Sequence, residues 1–167
     1  MDEILKVAKE TLQIPTFDQA LARVNEISDN LGMPVDEAIK VPVAALWANG
    51  IHTTGSCEGH LDRALAFPWV DIEAKESQGW ENDPKLQTEW KQLNEIERLK
   101  VEALLKEFYE KKSSRHPLEL SAIGIYGAVR LQPAGEDRFE KPTKDKLFAY
   151  QQEMATFADF LILKSKA

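Results

Sequence analysis

Apolar residues recur three and four apart at the start of the chain, the spacing that lays one side of a helix against a core. Ile4, Leu5, Ala8 and Leu12 form a first run, which Pro15 stops. Thr16 and Gln19 then make a capping box, in which hydroxyl and amide each satisfy an orphaned backbone N–H. Ala20, Leu21, Val24, Ile27 and Leu31 predict the apolar side of a second helix, with Gly32 at its C-cap and Pro34 barring extension. A third, shorter helix is expected from Pro42, where a missing N–H costs nothing, through Ala45, Leu46 and Trp47 to Asn49-Gly50.

The period then changes. Residues 51–56 and 69–74 read as strands; in the second, Val70, Ile72 and Ala74 alternate with Trp69, Asp71 and Glu73. A polar loop over 77–84 carries Trp80, either a latch onto the core or part of a partner surface. The longest helix, 84–111 with Asp83 as N-cap, sets Leu86, Trp90, Leu93, Val101, Leu104, Leu105 and Phe108 on one side, with Glu97 in the middle of that stripe. Strands 118–123 and 128–132 flank a four-residue turn from Gly124 to Gly127. A last helix from near Thr143 spaces Leu147, Tyr150, Met154, Phe157 and Leu161 three and four apart, as core or as the seam of a homodimer. The order ααα-ββ-α-ββ-α, with strands in adjacent pairs on short links, predicts an α+β fold. Its expected form is a small, mainly antiparallel sheet of about four strands with helices packed on one face. One domain, 1–167, is expected, with a helical N-terminal segment over 1–33 and a sheet-containing body over 34–167.

Composition narrows the class. The chain has 167 residues, and 21 Lys and Arg against 28 Asp and Glu give a net charge of −7. A chain this long buries about 70% of its unfolded surface and needs no covalent staples. A single cysteine excludes an intramolecular disulfide and any Cys₄ or Cys₂His₂ zinc module. Met1-Asp2-Glu3-Ile4-Leu5-Lys6 lacks the basic start and apolar run of a signal peptide, and no apolar stretch approaches the ~20 residues of a membrane span. The expectation is a cytoplasmic chain with no membrane role. The acidic balance argues against gripping nucleic acid through phosphates.

Candidate chemistry is concentrated in Gly50-Ile51-His52-Thr53-Thr54-Gly55-Ser56-Cys57-Glu58-Gly59-His60, which holds the cysteine and two of the three histidines. In a tight turn, Cys57 and His60 can meet, and the flanking glycines allow close approach of a ligand or another backbone. Metal binding is one use of this pairing: thiolate and imidazole are zinc ligands, and His52, Asp71, Glu73 and His116 are the further donors available. Polar-ligand binding is a second, through glycine-flanked amides and the Thr53, Thr54 and Ser56 hydroxyls around Gly59, with Arg63, Arg130 and Arg138 as counter-charges. Thiol catalysis by Cys57 with His60 is a third. Gly55-Ser56-Cys57-Glu58-Gly59 has the form of a nucleophile elbow, but the long helix and βαβ units of that fold are missing. A non-catalytic alternative makes Cys57 a small buried hydrophobe and His60 a cap, with Trp80 and the C-terminal stripe as an interaction surface. Glu97 is either an acid of raised pKa or a carboxylate that snorkels or pairs with an arginine. His116, near Lys111, Lys112 and Arg115, reads as part of a solvated basic helix end.

The pattern Gly50-Ile51-x-Thr53-x-x-Ser56-Cys57-x-Gly59-His60, between the helix at Pro42 and Pro68-Trp69-Val70, resembles one found in short bacterial and phage proteins of uncharacterised function. It spans about 30 residues and implies a shared strand-turn-strand element. A fainter likeness links Thr54-Gly55-Ser56-Cys57-Glu58-Gly59 to the Ser-Cys-Ser-Gly stretch of the tRNA wybutosine-synthesis methyltransferase family, which would imply S-adenosylmethionine and tRNA. Glu58 replaces that family's second serine, and His60 its arginine.

Overall fold

The computed structural model describes residues 13–29 and 31–167; the expected helix through Ile4 and Leu12 lies outside them. The described chain runs α1 (Phe17–Glu26), α2 (Lys40–Trp47), β1 (Thr53–Cys57), β2 (Trp69–Ile72), α3 (Pro84–Glu110), β3 (Leu118–Ala122), β4 (Val129–Pro133) and α4 (Lys144–Ser165). This is the α+β class that the pattern predicts.

Local chemistry explains most boundaries. The α1 capping box forms in full: the Gln19 amide donates to Thr16 Oγ1 at 3.2 Å and the Thr16 amide to Gln19 Oε1 at 3.0 Å. Asp83 accepts from the Lys85 amide ahead of α3, whose first residue is Pro84, and Thr143 accepts from the Lys146 amide ahead of α4. The end of α1 differs from expectation. It stops at Glu26, and Ile27 and Leu31 are 42% and 88% exposed instead of buried. Asp29 is the reason: its carboxylate accepts from the amides of Leu31 and Met33, and this local alternative outcompetes another helical turn. Gly32, at φ +77°, therefore serves that turn and not a helix C-cap. The next helix starts two residues earlier than expected, after a 3₁₀ turn over Glu37–Ile39, and Pro42 sits within its first turn, where no N–H is needed.

The sheet order is β1-β2-β4-β3, with every pair antiparallel. Val70 lies opposite Leu131, and Leu131 opposite Leu120. The β1–β2 register slips between Thr53 and Gly55, so Thr54 is an extra residue in the ladder. Val70, Ile72, Val129 and Leu131 bury one face of the sheet in a single core with Ala20 and Val24 of α1, Val43 and Leu46 of α2, Val101 and Leu105 of α3, and Met154 and Phe157 of α4. Tyr150, Met154, Phe157 and Leu161 are each 1% exposed, so the C-terminal stripe is core within the chain and not an exposed seam. Trp80 is a latch, its ring 4.7 Å from Trp90 and 5.0 Å from Tyr126.

Three side chains stand apart from their expected settings. Leu93 is 40% exposed, and its neighbour Asn94 takes the buried position. Asn94 accepts from the Ala74 amide and donates to the Tyr126 carbonyl, tying the end of β2 to the β3–β4 turn. Glu97 pairs with Lys100, not with an arginine, and accepts from the His52 amide at 3.0 Å. His116 is not on a solvated helix end. Its ring meets Tyr150 edge-on and its Nδ1 lies 3.6 Å from Asp137 Oδ2. Among the described residues, no helix is long and apolar enough to cross a membrane.

Candidate metal centre

The last residue of β1 and the turn after it are held from two sides. Gly59 has φ +89°, and a Cβ there would lie 2.7 Å from Leu147 Cδ1 of α4 and 2.8 Å from the Phe67 carbonyl carbon. Only glycine fits both the conformation and the space. The Gln151 side chain, also on α4, donates to the Glu58 carbonyl at 2.9 Å. From the other side, Glu58 Oε2 accepts from the Ala38 amide at 2.8 Å and so serves the start of the 3₁₀ turn. Asp36 occupies the N-cap of that same turn, where its carbonyl accepts from the Ile39 amide at 3.2 Å, but its side chain does not cap the turn. Its Oδ2 accepts instead from the Glu58 amide and faces His60 Nε2, both at 3.2 Å.

These ties gather a carboxylate, a thiol and an imidazole. One ligating atom each from Asp36, Cys57 and His60 lies within 4.8 Å of the others, and among the described residues they form a group able to hold a metal ion. Cys57 is 7% exposed and its sulfur accepts from the Gly59 amide at 3.4 Å. Burial pushes the Cys57 thiol up; the Gly59 amide offsets part of that, and the nearby Asp36 and Glu58 carboxylates add to the rise. Burial acts on Asp36 in the same direction, but the Glu58 amide, the His60 ring and the Cys57 thiol together draw its carboxyl below the usual range. Near neutral pH the metal-free group is thus a carboxylate beside a protonated thiol.

The group borders a cleft of about 520 Å³ between the 27–36 segment and β1, lined by Thr53, Thr54, Ser56, Cys57 and His60 together with Trp47, Trp69 and Arg63. Thr53, Thr54 and Ser56 are thus brought to one cavity with the thiol and the imidazole. Other candidates lie elsewhere. The His52 ring meets the Glu73 carbonyl through Nδ1, and His52 is not part of the metal-capable group. Thr54 Oγ1 donates to Glu73. Arg130 forms a bidentate pair with Asp71 and stacks on Trp69, its guanidinium carbon 3.8 Å from the ring centroid. Arg138 is held by Glu119 and the Pro133 carbonyl, and His116 by its contacts near Asp137. Gly59 faces Leu147 and Phe67, so its role is to close the turn.

Asp36 is the member that sequence reasoning did not find. Its signal was indirect: an aspartate at a helix start whose side chain has a choice between capping its own turn and reaching elsewhere. No family model, curated protein or solved structure matches the chain significantly.

Proposed function

We propose that the chain binds a divalent transition metal of the zinc class through Asp36, Cys57 and His60, leaving a fourth position open toward the cleft. One observation carries this reading: three donors of different type, from two segments of the chain, converge within 4.8 Å. A tetrahedral zinc centre with bonds of about 2.0–2.3 Å separates its ligand atoms by about 3.5 Å. The Asp36 oxygen and the His60 nitrogen, at 3.2 Å, stand near that spacing already. Thiolate and imidazole favour zinc, cobalt or iron over magnesium or calcium. Three protein ligands and one open position is the form of a ligand-binding or catalytic centre; a closed structural site has four. Formal charges support it: carboxylate and thiolate together balance a divalent ion once the thiol proton has left.

The experiment is cobalt(II) substitution of the purified, chelator-treated protein, read by absorption. Expected are one ion per chain, a sulfur-to-cobalt charge-transfer band lost in Cys57→Ser, and intense tetrahedral d–d bands weakened in Asp36→Asn and His60→Ala. Failure to bind one equivalent of cobalt or zinc at micromolar concentration overturns the reading.

A further inference from the structure

Asp36, Cys57 and His60 border a cavity whose walls select what can enter. Two indoles line it, and each is fixed before any ligand arrives. Trp47 Nε1 donates to Thr53 Oγ1 at 2.7 Å, which sets the Trp47 ring against β1. Trp69 lies opposite Cys57 in the β1–β2 ladder. One of its faces carries the Arg130 guanidinium, itself clamped by both oxygens of Asp71. Gly55 lies opposite Asp71 in the same ladder. A Cβ at Gly55 would come only to 3.5 Å from both the Trp69 ring and Asp71 Oδ2, so the strand runs close over this assembly. At about 520 Å³ the cavity has the size that takes a small organic molecule. Indoles held in place offer a large contact area without loss of side-chain freedom on binding, and they prefer flat π-systems.

We propose that this cleft takes a planar aromatic or heteroaromatic small molecule, whose oxygen, nitrogen or sulfur donor fills the fourth position of the metal while its ring packs against Trp47 and Trp69. The inference rests on the metal reading and specifies its ligand class. Thr53 and Thr54 already engage Trp47 and Glu73 through their hydroxyls, so Ser56, which also lines the cleft, is the hydroxyl residue left for the polar edge of such a ring.

The test uses the cobalt-loaded protein with benzohydroxamate and acetohydroxamate as probes, which share a metal-binding head and differ in the ring. Titration of the d–d bands should show benzohydroxamate binding about tenfold tighter. In Trp69→Leu that preference should shrink to about threefold or less, while acetohydroxamate affinity stays within about twofold of wild type. Cobalt loading of the variant, checked by its charge-transfer band, shows that the centre has survived the substitution. If cobalt binds with the charge-transfer band but the two hydroxamates bind alike, or Trp69→Leu leaves the preference unchanged, the aromatic-ligand inference falls and the metal centre stands. Absence of cobalt binding in wild-type protein removes both.

Discussion

Gly59→Ala isolates the contact on which the geometry of the Cys57–His60 turn depends. At φ +89° any side chain strains the backbone, which costs about 1–2 kcal/mol. The new methyl would also sit 2.7 Å from Leu147 Cδ1 and 2.8 Å from the Phe67 carbonyl carbon. Leu147 can rotate, but the Phe67 backbone cannot move without shifting the entry to β2. Overpacking of that kind adds about 1–3 kcal/mol. The sum is about 2–5 kcal/mol, or a fall in Tm of about 5–15 °C for a chain of this length. Gly79→Ala is the matched control: φ is +83°, and nothing lies within 4 Å of its Cβ, so only the backbone cost applies. Urea denaturation of both variants beside wild type measures the difference. Gly59→Ala should lose at least about 1 kcal/mol more than Gly79→Ala. Equal losses would refute the claim that α4 and the Phe67 backbone close on this turn.

Further consequences test other parts of the molecule. Asn94→Ala leaves the Ala74 amide and the Tyr126 carbonyl without their buried partner, and should lower stability by about 2–4 kcal/mol in urea melts; a loss under about 1 kcal/mol would mean that water replaces it. Phe157→Glu places a carboxylate at a site 1% exposed and should cost more than about 4 kcal/mol, abolishing the circular-dichroism melt. A folded monomer of that variant would show the stripe to be a seam after all. Cys57 of the metal-free protein should react with iodoacetamide more slowly than a free-cysteine peptide at pH 8, with a rate that rises through a midpoint above the ordinary thiol range. Its folded pKa is raised, so the stability it contributes is complete below the unfolded value and lost as pH climbs through the folded one. Asp36 has the opposite sign: its carboxyl is lowered, so its contribution is complete above about pH 4 and is lost as pH falls, a loss that Asp36→Asn should remove from the acid side of the stability profile.

Elements with a strong period or an explicit cap were legible from the sequence. Thr16 with Gln19, Asp83 before Pro84, and Thr143 before α4 each state in a few residues where a helix begins, because the orphaned N–H groups admit few partners. The alternation of Val70 and Ile72 likewise marks the buried face of β2, which ends at Ile72, short of the expected Ala74. What escaped was decided by competition between local and distant partners. Ile27 and Leu31 continue a helical stripe in period, yet Asp29 captures two amides and ends the helix first. Leu93 fits the apolar side of α3 by angle, yet Asn94 is buried beside it. The ends of β2 and the β3–β4 turn each leave a backbone group that a side-chain amide can satisfy. Periodicity counts apolar area and cannot register such a demand.

The candidate site divides in the same way. Cys57 and His60 were visible because they are three residues apart in a glycine-flanked turn, and a short segment has few ways to fold. Asp36 lies 24 residues before His60, and two choices bring it there. Glu58 takes the Ala38 amide, a donor that Asp36 would otherwise compete for at the head of its own 3₁₀ turn. The Glu58 amide then offers Asp36 a partner in exchange. The two acidic residues have in effect traded amides across two segments, and that exchange turns Asp36 toward the thiol and the ring. Glu58 thereby acts as the positioning residue for Asp36 in the candidate centre. Glu58→Gln keeps an acceptor for the Ala38 amide and should retain the Asp36 geometry. Glu58→Ala frees that amide for Asp36 and should draw its carboxylate back to cap its own turn, weakening cobalt binding in the same direction as Asp36→Asn. If Glu58→Ala binds cobalt as wild type does, the exchange of amides is not what orients Asp36.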